Sequence, residues 1–247
     1  MIKHWLLTGD VHAQVLTRLR ELKKQYPNYE PNETALIILG DSGFNFYLDY
    51  TSKRLKADTC ATDYTIYCVR GNHEERPQNI EGMKVIYDEE VQGLVYVENK
   101  FPNIKYFVDG ENYLINGHHC LVIGGAYSVD KYWRLQSGEN SGWFPEEQLT
   151  KTEMRTIEID TYNETFDFVF THTCPYSWRP TDLFIRGIDQ SMVDTTMEVW
   201  MDKLKETFNW GMWCFGHYHA DRKERKNVYQ FYHNIIDIEE LWKEKEE

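Results

Sequence analysis

Five short stretches place cation-ligating and proton-moving side chains just past apolar runs. They are Asp10-Val-His12, Gly40-Asp41, Arg70-Gly-Asn72-His73-Glu74, Thr171-His172 and Gly216-His217-Tyr-His219. Asn offers a carbonyl oxygen to a hard cation, and His gives or takes a proton near neutral pH. With His73 alongside, the set comprises Asp10, His12, Asp41, Asn72, His172, His217 and His219. Carboxylates, imidazoles and an amide suit Mn²⁺, Fe, Zn²⁺ or Co rather than Ca²⁺ or a thiolate site. That is too many ligands for one ion in an open site, and they divide over two ions sharing a carboxylate. Two-metal hydrolases hold their ions about 3.5–4 Å apart and clamp an in-line displacement at phosphorus. Spacing supports the division: Asp10 and His12, like His217 and His219, are two apart, so extended backbone points both members of a pair one way.

These residues need elements that bring them together. Residues 3–8 read as a strand ending at Gly9-Asp10. Val15, Leu16, Leu19 and Leu22 then give a helical stripe that stops at Tyr26-Pro27. A continuous apolar run, 34–39, reads as a strand covered on both faces and delivers Asp41. A helix over 47–57 and a strand over 64–69 lead to Asn72 and His73. Ligands of open α/β sheets gather at the carboxyl ends of strands, which gives Asp10, Asp41 and Asn72 a reason to meet.

Between 85 and 125, short runs separated by Gly, Asn and Asp predict an antiparallel meander. His118 and His119 fall on opposite faces of a strand and are poorly placed to share an ion. Gly124 opens a long aromatic and charged loop reaching 145, read as a wall over the site. A helix from Pro145 to about 159 precedes a strand over 166–170 that ends at His172. An irregular stretch, 174–190, carries Arg179 and Arg186. A helix over roughly 192–208 and a strand over 212–215 lead to His217 and His219. Runs at 228–232 and 235–238 read as strands, and 239–247 as a charged, frayed end. No repeat or linker divides the chain, so residues 1–247 read as one domain.

A net charge of −13 argues against bulk nucleic-acid binding by phosphate neutralisation, and no basic stripe suggests a nuclease. No apolar run approaches the roughly 20 residues that span a bilayer, so no membrane is expected. The opening residues reach Gly9-Asp10 too soon for a secretory signal. Cys60, Cys68, Cys120, Cys174 and Cys214 have no paired spacing, which favours a reducing, cytoplasmic setting.

The ordered set Gly-Asp-Val-His, Gly-Asp, Gly-Asn-His-Glu, Thr-His and Gly-His-Tyr-His, spanning Asp10 to His219, resembles the calcineurin-like metallophosphoesterase superfamily. The resemblance implies an α/β fold of two facing β-sheets flanked by helices in four αββα layers, with a dinuclear centre at the sheet ends. It assigns Asp10, His12, Asp41 and His219 to one divalent ion, Mn²⁺ foremost. The other ion takes Asp41 as the bridge, with Asn72, His172 and His217. His73 would contact phosphate and protonate the leaving group, and the nucleophile would be a metal-activated water or hydroxide.

Arg70 before Gly-Asn-His-Glu is similar to the Ser/Thr protein phosphatase branch, where that arginine grips the phosphoryl oxygens. That branch continues its first motif with Gly, where this chain has Ala13. Its second motif continues Asp-x-x-Asp-Arg-Gly, where Asp41 is followed by Ser-Gly-Phe-Asn45. The Asp that orients the catalytic His and a second phosphate-binding Arg are therefore missing from those places. Arg76, Lys131, Arg134, Arg179 and Arg186 are candidate substitutes for that Arg. The expected substrate is a phosphorylated small molecule, a nucleotide or a phosphoprotein, monoester or diester. A hydrolase of dinucleoside polyphosphates or cyclic nucleotides, and a phosphate-binding module without turnover, are the alternatives.

Overall fold

A computed structural model describes residues 1–136 and 142–246. The chain begins β1 (His4–Thr8), α1 (Val15–Gln25), β2 (Thr34–Leu39), α2 (Tyr50–Cys60) and β3 (Thr65–Val69). Five strands follow: β4 (Met83–Asp88), β5 (Gly93–Glu98), β6 (Ile104–Phe107), β7 (Asn112–Ile115) and β8 (His118–Ile123). Then come α3 (Lys131–Gln136), α4 (Lys151–Asp160), β9 (Thr165–Thr171), α5 (Thr196–Leu204) and β10 (Asn209–Phe215). The last elements are β11 (Arg222–Arg225), β12 (Val228–Gln230), β13 (Ile236–Asp237) and α6 (Ile238–Glu246).

Two sheets result, ordered β13-β1-β2-β3-β6-β5-β4 and β11-β12-β10-β9-β8-β7. Alternation along the strands divides their side chains between two environments. Ala35, Ile37 and Leu39 of β2 join Phe168, Phe170, Met212 and Cys214 in a core between the sheets. Leu36 and Ile38 face the other way, onto Val15, Leu19 and Leu22 of α1. On the second sheet Trp213 and Phe215 meet Met197, Trp200 and Met201 of α5. This is the four-layer α/β arrangement that the motif order implies.

Strand β2 is buried at all six residues. Each of its large aliphatic side chains is worth roughly 1.5–3 kcal/mol relative to exposure. A strand held through both faces gives a fixed base for the loop that follows it.

Strands β1, β2 and β3 are mutually parallel, with Thr8 beside Ile38 and Leu39 beside Val69. β9 and β10 are parallel too, with Thr171 beside Phe215. Within each sheet the strands end at matched levels, and the two sets of loops meet where His172 Nδ1 reaches the Leu39 carbonyl.

Several expected boundaries move. The 85–125 region is not one meander: β4, β5 and β6 extend the first sheet, while β7 and β8 begin the second. The helix expected from Pro145 starts at Lys151, because Thr150 caps it and Glu153 completes a reciprocal capping box. The helix expected over 47–57 runs Tyr50–Cys60, where Asp49 accepts from the Thr51 amide. The helix over 192–208 is shorter, at Thr196–Leu204. The loop from Gly124 contains α3, and its residues 137–141 lie outside the described residues. The charged end is helix α6, which adds Ile238 and Leu241, both fully buried, to the inter-sheet core. Among the described residues, no helix is long and apolar enough to cross a membrane.

Candidate metal centre

The five loops converge. Asp10 Oδ2 stands 3.2 Å from His219 Nε2 and 3.9 Å from His12 Nε2. The two imidazole Nε2 atoms are 2.9 Å from each other. Deeper in, His172 Nε2 stands 2.8 Å from Asn72 Oδ1 and 3.7 Å from Asp41 Oδ2. Two groups able to hold an ion emerge, Asp10 with His12 and His219, and Asp10 with Asp41 and His172. Asp10 is the carboxylate common to both, while Asp41 stands in the second. The ring of His217 packs against His172 with centroids 5.0 Å apart.

The spacing argument from extended backbone does not hold. His12, Asp41, His217 and His219 all have left-handed backbone, at φ 42°, 48°, 66° and 52°. The strands stop at Thr8, Leu39 and Phe215, so the ligands sit in turns beyond them. Non-glycine residues in this region cost of order 1 kcal/mol each and persist where the surroundings over-determine them. Close approach explains two of the glycines. A Cβ on Gly40 would lie 1.9 Å from His172 Nδ1, and one on Gly216 would lie 2.3 Å from Asp10 Oδ1.

The donor set fits a cation. His172 Nδ1 faces the Leu39 carbonyl at 2.8 Å, so Nδ1 carries the proton and Nε2 turns its lone pair inward. Asn72 Nδ2 donates to Ser128 Oγ at 2.8 Å, which turns the amide oxygen toward that same Nε2. Two acceptors facing each other at hydrogen-bond distance require a proton or a cation between them. Asp10 repeats the pattern: Oδ1 accepts from the His217 amide at 2.9 Å, and the buried Oδ2 has no hydrogen-bond partner among the described residues. Burial works against ionisation of Asp10, yet His172 and His219 hold its carboxyl below the usual range. Burial opposes ionisation of Asp41 too, and His172, His73 and His12 outweigh it. Burial drives His217 down to about 3, leaving a neutral imidazole with a free lone pair.

His73 stands beside the cluster and in neither group of ligating atoms. Its amide donates to Asp41 Oδ1 at 2.8 Å, its ring borders the cavity, and its buried Nδ1 has no partner among the described residues. Burial pushes its pKa down, with Asp41 pulling the other way.

Arg70, expected at the phosphate, is engaged by protein acceptors. Its buried guanidinium donates to Asp109 Oδ2 at 2.8 Å, Glu147 O at 2.7 Å and Gly124 O at 3.1 Å, all of them protein acceptors. Arg76 is spent likewise on Glu153 and the carbonyls of Glu146 and Gln148. Lys131 lies over the Trp143 ring at 4.4 Å, and Arg186 is exposed. Of the candidate cations, Arg134 and Arg179 border the cavity.

Glu74, read from the sequence as a turn cap, is a buried strut. Its Oε1 accepts from the Gly71 amide at 2.9 Å and its Oε2 from Ser42 Oγ at 2.7 Å. It ties the loop after β2 to the loop after β3, and burial beside Asp41 raises its pKa to about 7.

The cavity has a volume of about 550 Å³. Tyr127, Asp130 and Arg134 line it, as do Leu183, Phe184 and Ile185. The wall expected from the loop after Gly124 thus has a second half, from the irregular stretch after Cys174. Sequence reasoning missed Glu198 and Tyr218, which also border the cavity, and Ser128, which orients Asn72. Glu198 had one legible signal, an acid set among Met197, Trp200 and Met201 of a buried stripe.

A family model described as calcineurin-like phosphoesterase matches residues 4–221, from β1 to the loop after His219. The chain matches no curated protein significantly.

Proposed function

Because the chain belongs to the calcineurin-like phosphoesterase family, we propose that it is a metal-dependent phosphoester hydrolase with a dinuclear centre. The convergence of Asp10, His12 and His219 with Asp41 and His172 carries this reading. Asp10, His12, Asp41 and His219 are assigned to one cation, and Asp41, Asn72, His172 and His217 to the other. Asp10 and Asp41 are the two carboxylates available for sharing. Mn²⁺ is the first candidate, and two such ions would supply Lewis-acid charge to the phosphoryl oxygens and lower the pKa of water.

The chain's own groups do the rest. A water oxygen adds to phosphorus, the ester P–O bond breaks, the departing oxygen takes a proton from His73, and the proton that the water releases returns to His73 through solvent. His73 suits this task because it borders the cavity, and the Asp41 contact to its amide fixes its position. Arg134, held by Asp130 at 2.6 Å and bordering the cavity, would present positive charge to the phosphoryl oxygens. Five free cysteines, four of them buried, accord with a reducing cytoplasm.

The test is hydrolysis of p-nitrophenyl phosphate and bis-p-nitrophenyl phosphate by the full chain with added Mn²⁺. Turnover of either that stops with a chelator and returns with Mn²⁺ is expected. Metal-independent turnover, or none with any divalent ion, contradicts the proposal.

A further inference from the structure

Beyond the ligand cluster the cavity continues into a chamber that a phosphoryl group alone does not need. Leu183, Ile185, Ile188 and Val193 give it an apolar wall. The nearly parallel rings of Phe184 and Tyr218 both border it, with centroids 6.4 Å apart and planes 17° from parallel. The Arg179 guanidinium borders the same chamber, its carbon 3.6 Å from the Tyr176 ring centroid and 5.5 Å from that of Phe184. No carboxylate lies within ion-pair distance of Arg179 among the described residues.

One buried group does not belong to an apolar chamber. Glu198 is 4% exposed and borders the cavity. Its Oε1 accepts from Thr173 Oγ1 at 3.2 Å, and its buried Oε2 has no partner among the described residues. Thr173 is also joined to the Tyr218 hydroxyl at 3.1 Å, so the carboxyl is fixed in place. A buried acceptor without a donor is costly, and a ligand donor would relieve the cost.

We propose that this chamber is the subsite for the organic group of the substrate, and that it takes a flat ring bearing N–H donors, as in a nucleobase. The ring faces pack on Phe184 and Tyr218, Arg179 stacks at the edge, and Glu198 Oε2 accepts from the donor. A saturated acyl chain would fill the same apolar wall but leave Glu198 and Arg179 dehydrated and unpaired. The proposal rests on the phosphoesterase reading above and narrows its substrate to nucleotides.

Calorimetric titration of the Mn²⁺-loaded full chain with guanosine and with adenosine reads the subsite without turnover, because neither carries phosphate. At least one nucleoside is expected to bind. Glu198→Ala should weaken it about fivefold or more, the worth of one hydrogen bond. Phe184→Ala, in a half-exposed loop position where folding is not at risk, should weaken it about fivefold or more by loss of stacking. Glu198→Gln, which keeps the shape and one acceptor, should fall between wild type and Glu198→Ala. No binding of either nucleoside up to about 1 mM, or binding indifferent to both Glu198→Ala and Phe184→Ala, overturns the subsite. Hydrolysis of p-nitrophenyl phosphate, measured in parallel, separates the two readings. Turnover without nucleoside binding defeats the subsite and leaves the enzyme. Nucleoside binding without turnover on any phosphoester keeps the subsite and defeats the enzyme.

Discussion

His12 Nε2 and His219 Nε2 stand 2.9 Å apart across 207 residues of chain. Two neutral imidazoles meet this closely by sharing one proton or by turning both lone pairs to one cation. On the proposed reading the buried Asp10 Oδ2, 3.2 Å from His219, favours the cation, because a carboxylate adds a third ligand and the charge that a cation requires. Asp10→Asn should therefore cost at least one Mn²⁺ per chain, read by elemental analysis after gel filtration. Full metal content in that variant would remove Asp10 from the centre.

His73→Ala should keep its metal and lose turnover by roughly 10²–10⁴-fold, the usual worth of a positioned general acid. The loss should be smaller for p-nitrophenyl phosphate, whose leaving group needs little protonation, than for an alkyl phosphate. Loss of metal instead would make His73 a ligand.

On the proposed reading, Arg134 takes the phosphate-contacting role that the motif suggests for Arg70. Arg70→Ala leaves Asp109 and the carbonyls of Gly124 and Glu147 without their donor. It should lower stability by roughly 3–5 kcal/mol, the cost of breaking a buried pair. Inhibition by free phosphate should stay unchanged. Arg134→Ala should raise the phosphate inhibition constant about tenfold or more and leave thermal stability near wild type. The reverse pattern in the two variants would restore Arg70 to the phosphate.

Glu153 gives a stability signal away from the metal. Partial burial raises its pKa, but the Arg76 guanidinium, the Thr150 amide and the Thr150 hydroxyl outweigh that and hold it at about 2, against an ordinary 4.5. A carboxyl lowered on folding contributes stability that is present above pH 4.5 and lost as pH falls through 2. Wild type should melt above Glu153→Gln at pH 5, and the gap should close toward pH 2.5. A gap that stays constant over that range would show that the charge does not matter.

The parallel strands, and which residues follow them, were legible because β2 and β10 are continuous apolar runs and each ends at Gly followed by a ligand type. The flow of chain between the sheets was not. Nothing local in 85–125 marks β6 as pairing with β3 and β7 as starting the second sheet. The protein partners of Arg70 were not legible for a related reason. A motif records that an arginine follows a strand, and the direction of its guanidinium depends on Asp109 and Glu147, supplied from remote loops. Glu198 left one local trace, an acid within an apolar helical stripe, but an acid on an amphipathic helix reads as solvent-facing until a cavity is known to open beside it.

The most direct test of the account is the Mn²⁺ content of the chelator-stripped full chain during stepwise reloading, with phosphoester hydrolysis followed at each step. The account predicts saturation at two ions per chain, with hydrolysis rising only as the second is taken up. Saturation at one ion with full hydrolysis would contradict the dinuclear centre, and absence of stoichiometric binding would contradict the metal site as a whole.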